Sequence, residues 1–157
     1  MKPKISDYLS LAKIRLIHHA ATPLQVFEEL VGALSLENQG TILKDILLRE
    51  QIGSTVIAPG IALPHARGRD LKDIVSVLGI CRDGVKMNPN EDPIHIFLLF
   101  VSPTSALNPH LKFLASASSL FQTHGFARIL MEFTTAEAIL EKIKEIESRP
   151  HAQYSAK

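Results

Sequence analysis

Apolar positions along the chain recur with two periods, one helical and one strand-like, and their alternation sets the expected architecture. Val26, Phe27, Leu30, Val31 and Leu34 fall on one helical face. Ahead of them, Thr22-Pro23-Leu24-Gln25 combines a threonine cap, a proline at the first helical position and a glutamine three after the cap. A second helix is predicted to begin near Asn38 to Gly40 and to end near Glu50 to Gly53, with Ile42, Leu43, Ile46 and Leu47 inward. Ile74 to Cys81 and Ile94 to Val101 are short, rich in β-branched residues and bounded by Asp, Gly or Pro, so both read as buried strands. Between them, Arg82-Asp83-Gly84 and Asn88-Pro89-Asn90 are turn chemistry. Asn108 as cap and Pro109 as first helical residue predict a third helix, with Leu111, Leu114, Ala115, Ser118 and Phe121 or Gln122 on its apolar face. A capping box at Thr134-Thr135-Ala136-Glu137 opens a last helix whose inward residues are Ile139, Ile143 and Ile146. Strands alternating with helices give an α/β layer fold. One domain is expected over residues 1–147, followed by a frayed polar tail over 148–157.

Composition narrows the function without choosing it. At 157 residues and 46% hydrophobic content the chain suffices for one domain with a sizeable core. Its 17 basic and 16 acidic residues are interspersed, so neither a nucleic-acid stripe nor a polybasic membrane anchor is visible. Met1 to Tyr8 is polar, without the pattern of a signal peptide, and no apolar run approaches the roughly 20 residues of a membrane helix. The expected location is therefore cytoplasmic, with no direct membrane insertion. The lone Cys81 ends an apolar run and reads as a buried, inert thiol.

Candidate chemistry centres on the histidines. No pair has HExxH spacing and no cysteine cluster supports them, so no metal site is expected. There is no Gly-x-Ser-x-Gly elbow and no nucleotide-type glycine loop, and nothing asks for a cofactor. His95 lies inside a predicted strand and reads as structural. His65 closes the apolar, turn-rich segment from Gly53 to Pro64, at the end of a short extended piece that Pro64 keeps from being helical. A neutral imidazole there, with Arg67 and Arg69 just beyond, suits attack on an anionic group such as a phosphoryl. The same residues also fit a loop-end histidine with a structural hydrogen bond. His110 is placed in the first turn of the third helix, either beside a phosphoryl group or simply exposed there. Arg49, in the last turn of the second helix, suits the negative end of the helix dipole. Arg67 fits either an anion contact or a solvated loop charge, and Ile57 and Ile61 either partner contact or core.

Gly60-Ile61-Ala62-Leu63-Pro64-His65 resembles the phosphorylation-site motif of the fructose/mannitol-type enzyme IIA domains of the bacterial phosphotransferase system. The likeness extends in unbroken order from about Ile5 to Ile146. It takes in Leu48-Arg49-Glu50, Gly53-Ser54-Thr55, the strand opened by Lys72-Asp73, the apolar run Pro93 to Phe100, and Asn108-Pro109-His110-Leu111-Lys112-Phe113-Leu114. Where many relatives carry Gly after Pro-His, this chain has Ala66, which alters the backbone freedom beside the nucleophile.

The resemblance implies a single α/β domain with a central mixed sheet flanked by helices, and a phosphotransferase that relays phosphate through histidine. It makes His65 the acceptor, through Nε2, of a phosphoryl group from the phosphorylated carrier protein HPr. It makes His110 and Arg49 the groups that stabilise the transferring oxygens. The onward partner is an enzyme IIB in sugar uptake, or a regulated transporter or kinase as in the nitrogen-type enzyme IIA proteins. A third possibility keeps the fold as an interaction domain without turnover, and the retained His65, His110 and Arg49 count against it.

Overall fold

In the computed structural model, which describes residues 2–20 and 22–149, two 3-10 turns (Ile5–Tyr8 and Leu11–Lys13) lead into strand β1 (Ile14–Ile17). Helices α1 (Pro23–Ala33) and α2 (Gln39–Ile52) follow, then three short strands, β2 (Val56–Ala58), β3 (Ile61–Ala62) and β4 (His65–Gly68). Two long strands, β5 (Val75–Val85) and β6 (Ile94–Pro103), precede α3 (Leu107–Phe121), α4 (Phe126–Glu132) and α5 (Ala136–Glu147). The strands form one mixed sheet in the order β1-β5-β6-β3-β2, with β4 also beside β6. β1 runs parallel to β5, β5 antiparallel to β6, β3 and β4 parallel to β6, and β2 antiparallel to β3. This is the mixed, helix-flanked α/β sheet that was expected. Among the described residues no helix is long and apolar enough to cross a membrane.

Strand periodicity divides the core into two layers. On β6, Ile96, Leu98 and Phe100 join the cluster beneath α3, α4 and α5, while Phe97, Leu99 and Val101 join that beneath α1 and α2. Both faces of β5 and β6 are buried, which is why they read as continuous apolar runs and not as alternating ones. The capping box of α1 forms as the sequence implies: Gln25 N–H donates to Thr22 Oγ1 and Thr22 N–H to Gln25 Oε1, both at 3.2 Å.

Three local expectations change. Arg82-Asp83-Gly84 is no turn but an irregularity inside β5, between the register pairs Ile80–Ile96 and Val85–Ile94. Gly84 takes φ +78 there, and a Cβ would lie 2.7 Å from His95 Cε1 and 2.8 Å from Pro93 Cβ, so the segment stays tucked against β6. The cap of α5 is Thr135, whose hydroxyl accepts from Ala138 N–H at 3.2 Å, one residue later than the Thr134 box. The chain stays tied to α5 beyond residue 147, where the tail was expected to begin. Ser148 N–H reaches Lys144 O at 3.0 Å and Arg149 pairs with Glu145 at 3.2 Å. From residue 150 the expected tail lies outside the described residues.

Candidate active site

β3 and β4 are two halves of one edge alongside β6, separated by Leu63 and Pro64. Pro64 has no N–H to give the ladder, yet its carbonyl accepts from Phe100 N–H at 3.0 Å, so the chain is interrupted without leaving the sheet. His65 thus opens a strand and does not close one, because pairing to β6 resumes as soon as a residue with an N–H follows Pro64. Ala66 is extended and buried among the α1–α2 layer, and no glycine-only backbone is needed beside the histidine.

Register then sets the direction of the imidazole. His65 pairs with Phe100, and its ring stacks on that phenyl at 5.0 Å and 18°, facing the α3 layer. Its Nδ1 lies 2.8 Å from Leu63 O. A carbonyl only accepts, so Nδ1 carries the proton and the neutral ring keeps its lone pair on Nε2. The carbonyl is itself held by a short chain of bonds. Leu63 N–H donates to Thr55 O at 2.9 Å, and the Glu50 carboxylate accepts from Thr55 N–H at 3.0 Å and from Thr55 Oγ1 at 2.5 Å.

His110 sits in the first turn of α3, but that helix begins at Leu107 with Ala106 at the cap position, and Asn108 makes no capping bond. Its inward face is His110, Phe113, Ala117, Leu120 and Phe121, while Leu111 is half exposed. The observed face is thus rotated by about one residue from the predicted one through Leu111, Leu114, Ala115 and Ser118. The ring points inward because its Nδ1 meets Ser102 Oγ, at the end of β6, at 2.5 Å. It packs 5.6 Å from Phe100 and 5.3 Å from the His65 ring, at 61°. Two imidazoles 45 residues apart in the chain thus meet edge to face.

Two guanidinium groups act on this pair. Arg49 donates from Nη1 to Gly53 O at 2.8 Å, closing the end of α2 as its position in the last turn predicts. Arg67 follows His65 by two residues and so lies on the same face of β4. It donates from Nη2 to Pro103 O at 2.9 Å and to Thr104 O at 3.3 Å, and is no freely solvated loop charge. Burial pushes the His65 imidazole below its ordinary pKa, with Arg49 and Arg67 adding to the effect. Burial, then Arg67, His65 and Arg49, lower His110 further, to about 4. Both rings are neutral near pH 7. Ile61 is buried in the core beneath α3, and Ile57 is partly buried against it. His95 is structural, its Nδ1–H shared by Cys81 O at 3.0 Å and Arg82 O at 3.1 Å. Cys81 is buried, and burial raises its thiol pKa.

The family model described as "Phosphoenolpyruvate-dependent sugar phosphotransferase system, EIIA 2" matches residues 7–146. The chain belongs to this EIIA family. It is 28% identical over 147 residues, 90% of its length, to the PTS system fructose-specific EIIABC component of Bacillus subtilis, and it spans 23% of that relative's length. Its fold matches the nitrogen regulatory protein IIA-Ntr from Neisseria meningitidis with a TM-score of 0.79 at 24% identity, covering 88% of this chain and 98% of the other. It also matches a chain in the complex of enzyme IIAMTL and phosphorylated enzyme IIBMTL from Escherichia coli, with a TM-score of 0.73 at 19% identity, over 87% and 97% of the two chains.

In this EIIA domain, sequence reasoning overlooked Ser102, Phe100 and the Glu50–Thr55 pair as parts of the site. Ser102 alone carried a signal. It is a polar residue ending an otherwise apolar strand, two positions from Phe100 and hence on the same face. The others acquire their roles only through register and loop closure.

The lowered His110 pKa makes stability acid-sensitive. An unfolded imidazole protonates near 6.5 and the folded one near 4, so between these values the unfolded state binds more protons and folding weakens as pH falls. By pH 4 most of this group's contribution is lost. Urea unfolding at pH 7, 5.5 and 4.5 checks this. The wild-type midpoint drops across the series more steeply than that of His110→Gln, and parallel slopes would refute it.

Proposed function

We propose that this EIIA domain is a histidine phosphoryl carrier: His65 accepts a phosphoryl group from phosphorylated HPr and passes it to an enzyme IIB-type partner, or holds it as a regulatory signal. The observation that carries this reading is the bond from His65 Nδ1 to Leu63 O, which leaves the Nε2 lone pair free beside a second neutral imidazole and two cations. In the transfer, His65 Nε2 attacks phosphorus and a new N–P bond forms. The bond to the donor imidazole breaks, and its electron pair returns to that ring. Nδ1 keeps its proton, donated to the Leu63 carbonyl oxygen, so the phosphorylated ring is cationic against an anionic phosphoryl group and retains its transfer potential. The transition state is loose and its charge lies on the equatorial oxygens, so alignment and charge stabilisation are the main contributions of the protein. His110 and Arg49 supply these at the oxygens.

The surroundings suit a transient protein partner. Leu48 and Ile52 flank Arg49, Leu107 and Leu111 flank His110, and all four are about half exposed or more, Ile52 at 83%. Apolar side chains around a charged centre match the anatomy of such contacts. The shared fold with IIAMTL in its complex with phosphorylated IIBMTL supports an enzyme IIB-type acceptor, and the likeness to IIA-Ntr supports a regulatory use. Such a carrier works in the cytoplasm, where it requires neither metal nor cofactor.

Incubation with phosphoenolpyruvate, enzyme I and HPr tests the reading by intact mass. An acid-labile gain of one phosphoryl group supports it, and no gain with any supply of HPr overturns it. Discharge by an enzyme IIB in the presence of its sugar then separates transport from signalling. Arg49→Gln slows the transfer between tenfold and a thousandfold in rapid-quench measurements, judged by other charge-stabilising donors. Its far-UV spectrum is expected to be unchanged, since among the described residues the side-chain bond lost is the one to the Gly53 carbonyl at a helix end.

A further inference from the structure

Ser102 is fully buried at the end of β6, and its hydroxyl has one partner among the described residues, His110 Nδ1 at 2.5 Å. A hydroxyl carries a single proton, and once buried that proton needs an acceptor. The imidazole nitrogen is the acceptor within reach. If Nδ1 instead donated to Ser102 Oγ, the hydroxyl proton would be left without an acceptor at a fully buried position. Nδ1 therefore accepts, and the neutral ring carries its proton on Nε2, which has no hydrogen-bond partner among the described residues.

We propose that Ser102 is a positioning residue that locks His110 in the Nε2–H tautomer and so aims a donor, not a lone pair, at the phosphoryl oxygens on His65. Its consequence for transfer rests on the carrier reading above. The two imidazoles are set to opposite tautomers by opposite kinds of partner. A carbonyl, which only accepts, holds the proton of His65 on Nδ1, and a hydroxyl, which must donate, holds the proton of His110 away from Nδ1. One ring presents a nucleophilic lone pair while the other presents an N–H 5.3 Å away between centroids. With His110 in the other tautomer, a second lone pair would face the anionic oxygens and repel them. The backbone that bears the hydroxyl is itself pinned, because Arg67 pairs in register with Ser102 and donates to the next two carbonyls, Pro103 O and Thr104 O.

Long-range proton–nitrogen correlation spectra of the full-length, nitrogen-15-labelled chain at pH 7.5 read the tautomer directly. His110 of the wild type is expected to show the Nε2–H pattern, and an Nδ1–H pattern overturns the proposal without any variant. Ser102→Ala is expected to give mixed tautomers at His110 and a fall of about tenfold or more in the rate of transfer from phosphorylated HPr, the scale of losing a partner that orients a functional histidine. The Ser102→Ala/His110→Ala double variant should be no slower than His110→Ala, because Ser102 acts only through that ring. An unchanged His110 pattern in Ser102→Ala, or losses that multiply in the double variant, refutes the role. If the wild type takes up no phosphate, the carrier reading fails alone, and the spectra still decide what Ser102 does.

Discussion

His65→Ala is expected to take up no phosphoryl group from phosphorylated HPr under conditions that charge the wild type. The proposed carrier role predicts a complete loss and not merely a slowing, because it makes Nε2 of this ring the atom that bonds to phosphorus and alanine offers no substitute. His110→Ala provides the contrast: it is expected to be charged more slowly, by about tenfold to a thousandfold, but to reach the same final mass, since the proposed role of His110 includes no bond to phosphorus. Time courses of intact mass on the two variants and the wild type separate these behaviours. If His65→Ala were still charged and His110→Ala were not, the roles assigned to the two rings would be reversed. Residual labelling of both single variants would place the carrier atom elsewhere. His65 is buried and stacks on Phe100, so a retained far-UV spectrum and a cooperative urea transition of His65→Ala are the controls that make the result one of chemistry.

Phe100→Ala is expected to cost about 3–5 kcal/mol of stability, the range for truncating a fully buried aromatic side chain. Phe100 is completely buried, pairs in register with His65, stacks on it, and touches both the His110 ring and Phe113, the latter at 4.7 Å. Small domains are held by about 5–15 kcal/mol in all, so this single change removes a large share. Phe100→Leu keeps most of the volume and costs less than about 2 kcal/mol. It still removes the flat surface against which His65 lies, so its transfer rate falls although its fold is retained. Urea midpoints at pH 7.5 together with rapid-quench rates test both statements. A Phe100→Ala protein within about 1 kcal/mol of wild type would show that the phenyl ring does not support the two imidazoles.

Much of the fold was legible because local chemistry and tertiary structure agree there. The cap of α1, the inward faces of α1, α2 and α5 and the two long strands follow from side-chain period and turn residues, and burial on the sheet reinforces each of them. The failures lie where long-range contacts overrule local preference. Arg82-Asp83-Gly84 has turn composition but is held in β5 by its pairing to β6. The face of α3 was read one residue off because a polar ring, His110, is buried by a bond to Ser102. The strands β1, β2 and β4 passed unnoticed, and β3 showed only as a short extended piece before His65, because two to four residues are too few to show a period.

The same division runs through the site. Residue order alone determined that a histidine follows a proline after a glycine-rich bend, that another stands in the first turn of a helix, and that an arginine ends a helix. These are properties of neighbours in the chain. Only the tertiary structure decided that the three converge, which nitrogen of each ring holds a proton, and that both rings are neutral. Those outcomes depend on the register of β4 against β6, on a carbonyl two residues away and a hydroxyl eight residues away, and on burial under α3. Protonation follows from solvation and hydrogen-bond partners, which are set by distances in space and have no signature in sequence spacing.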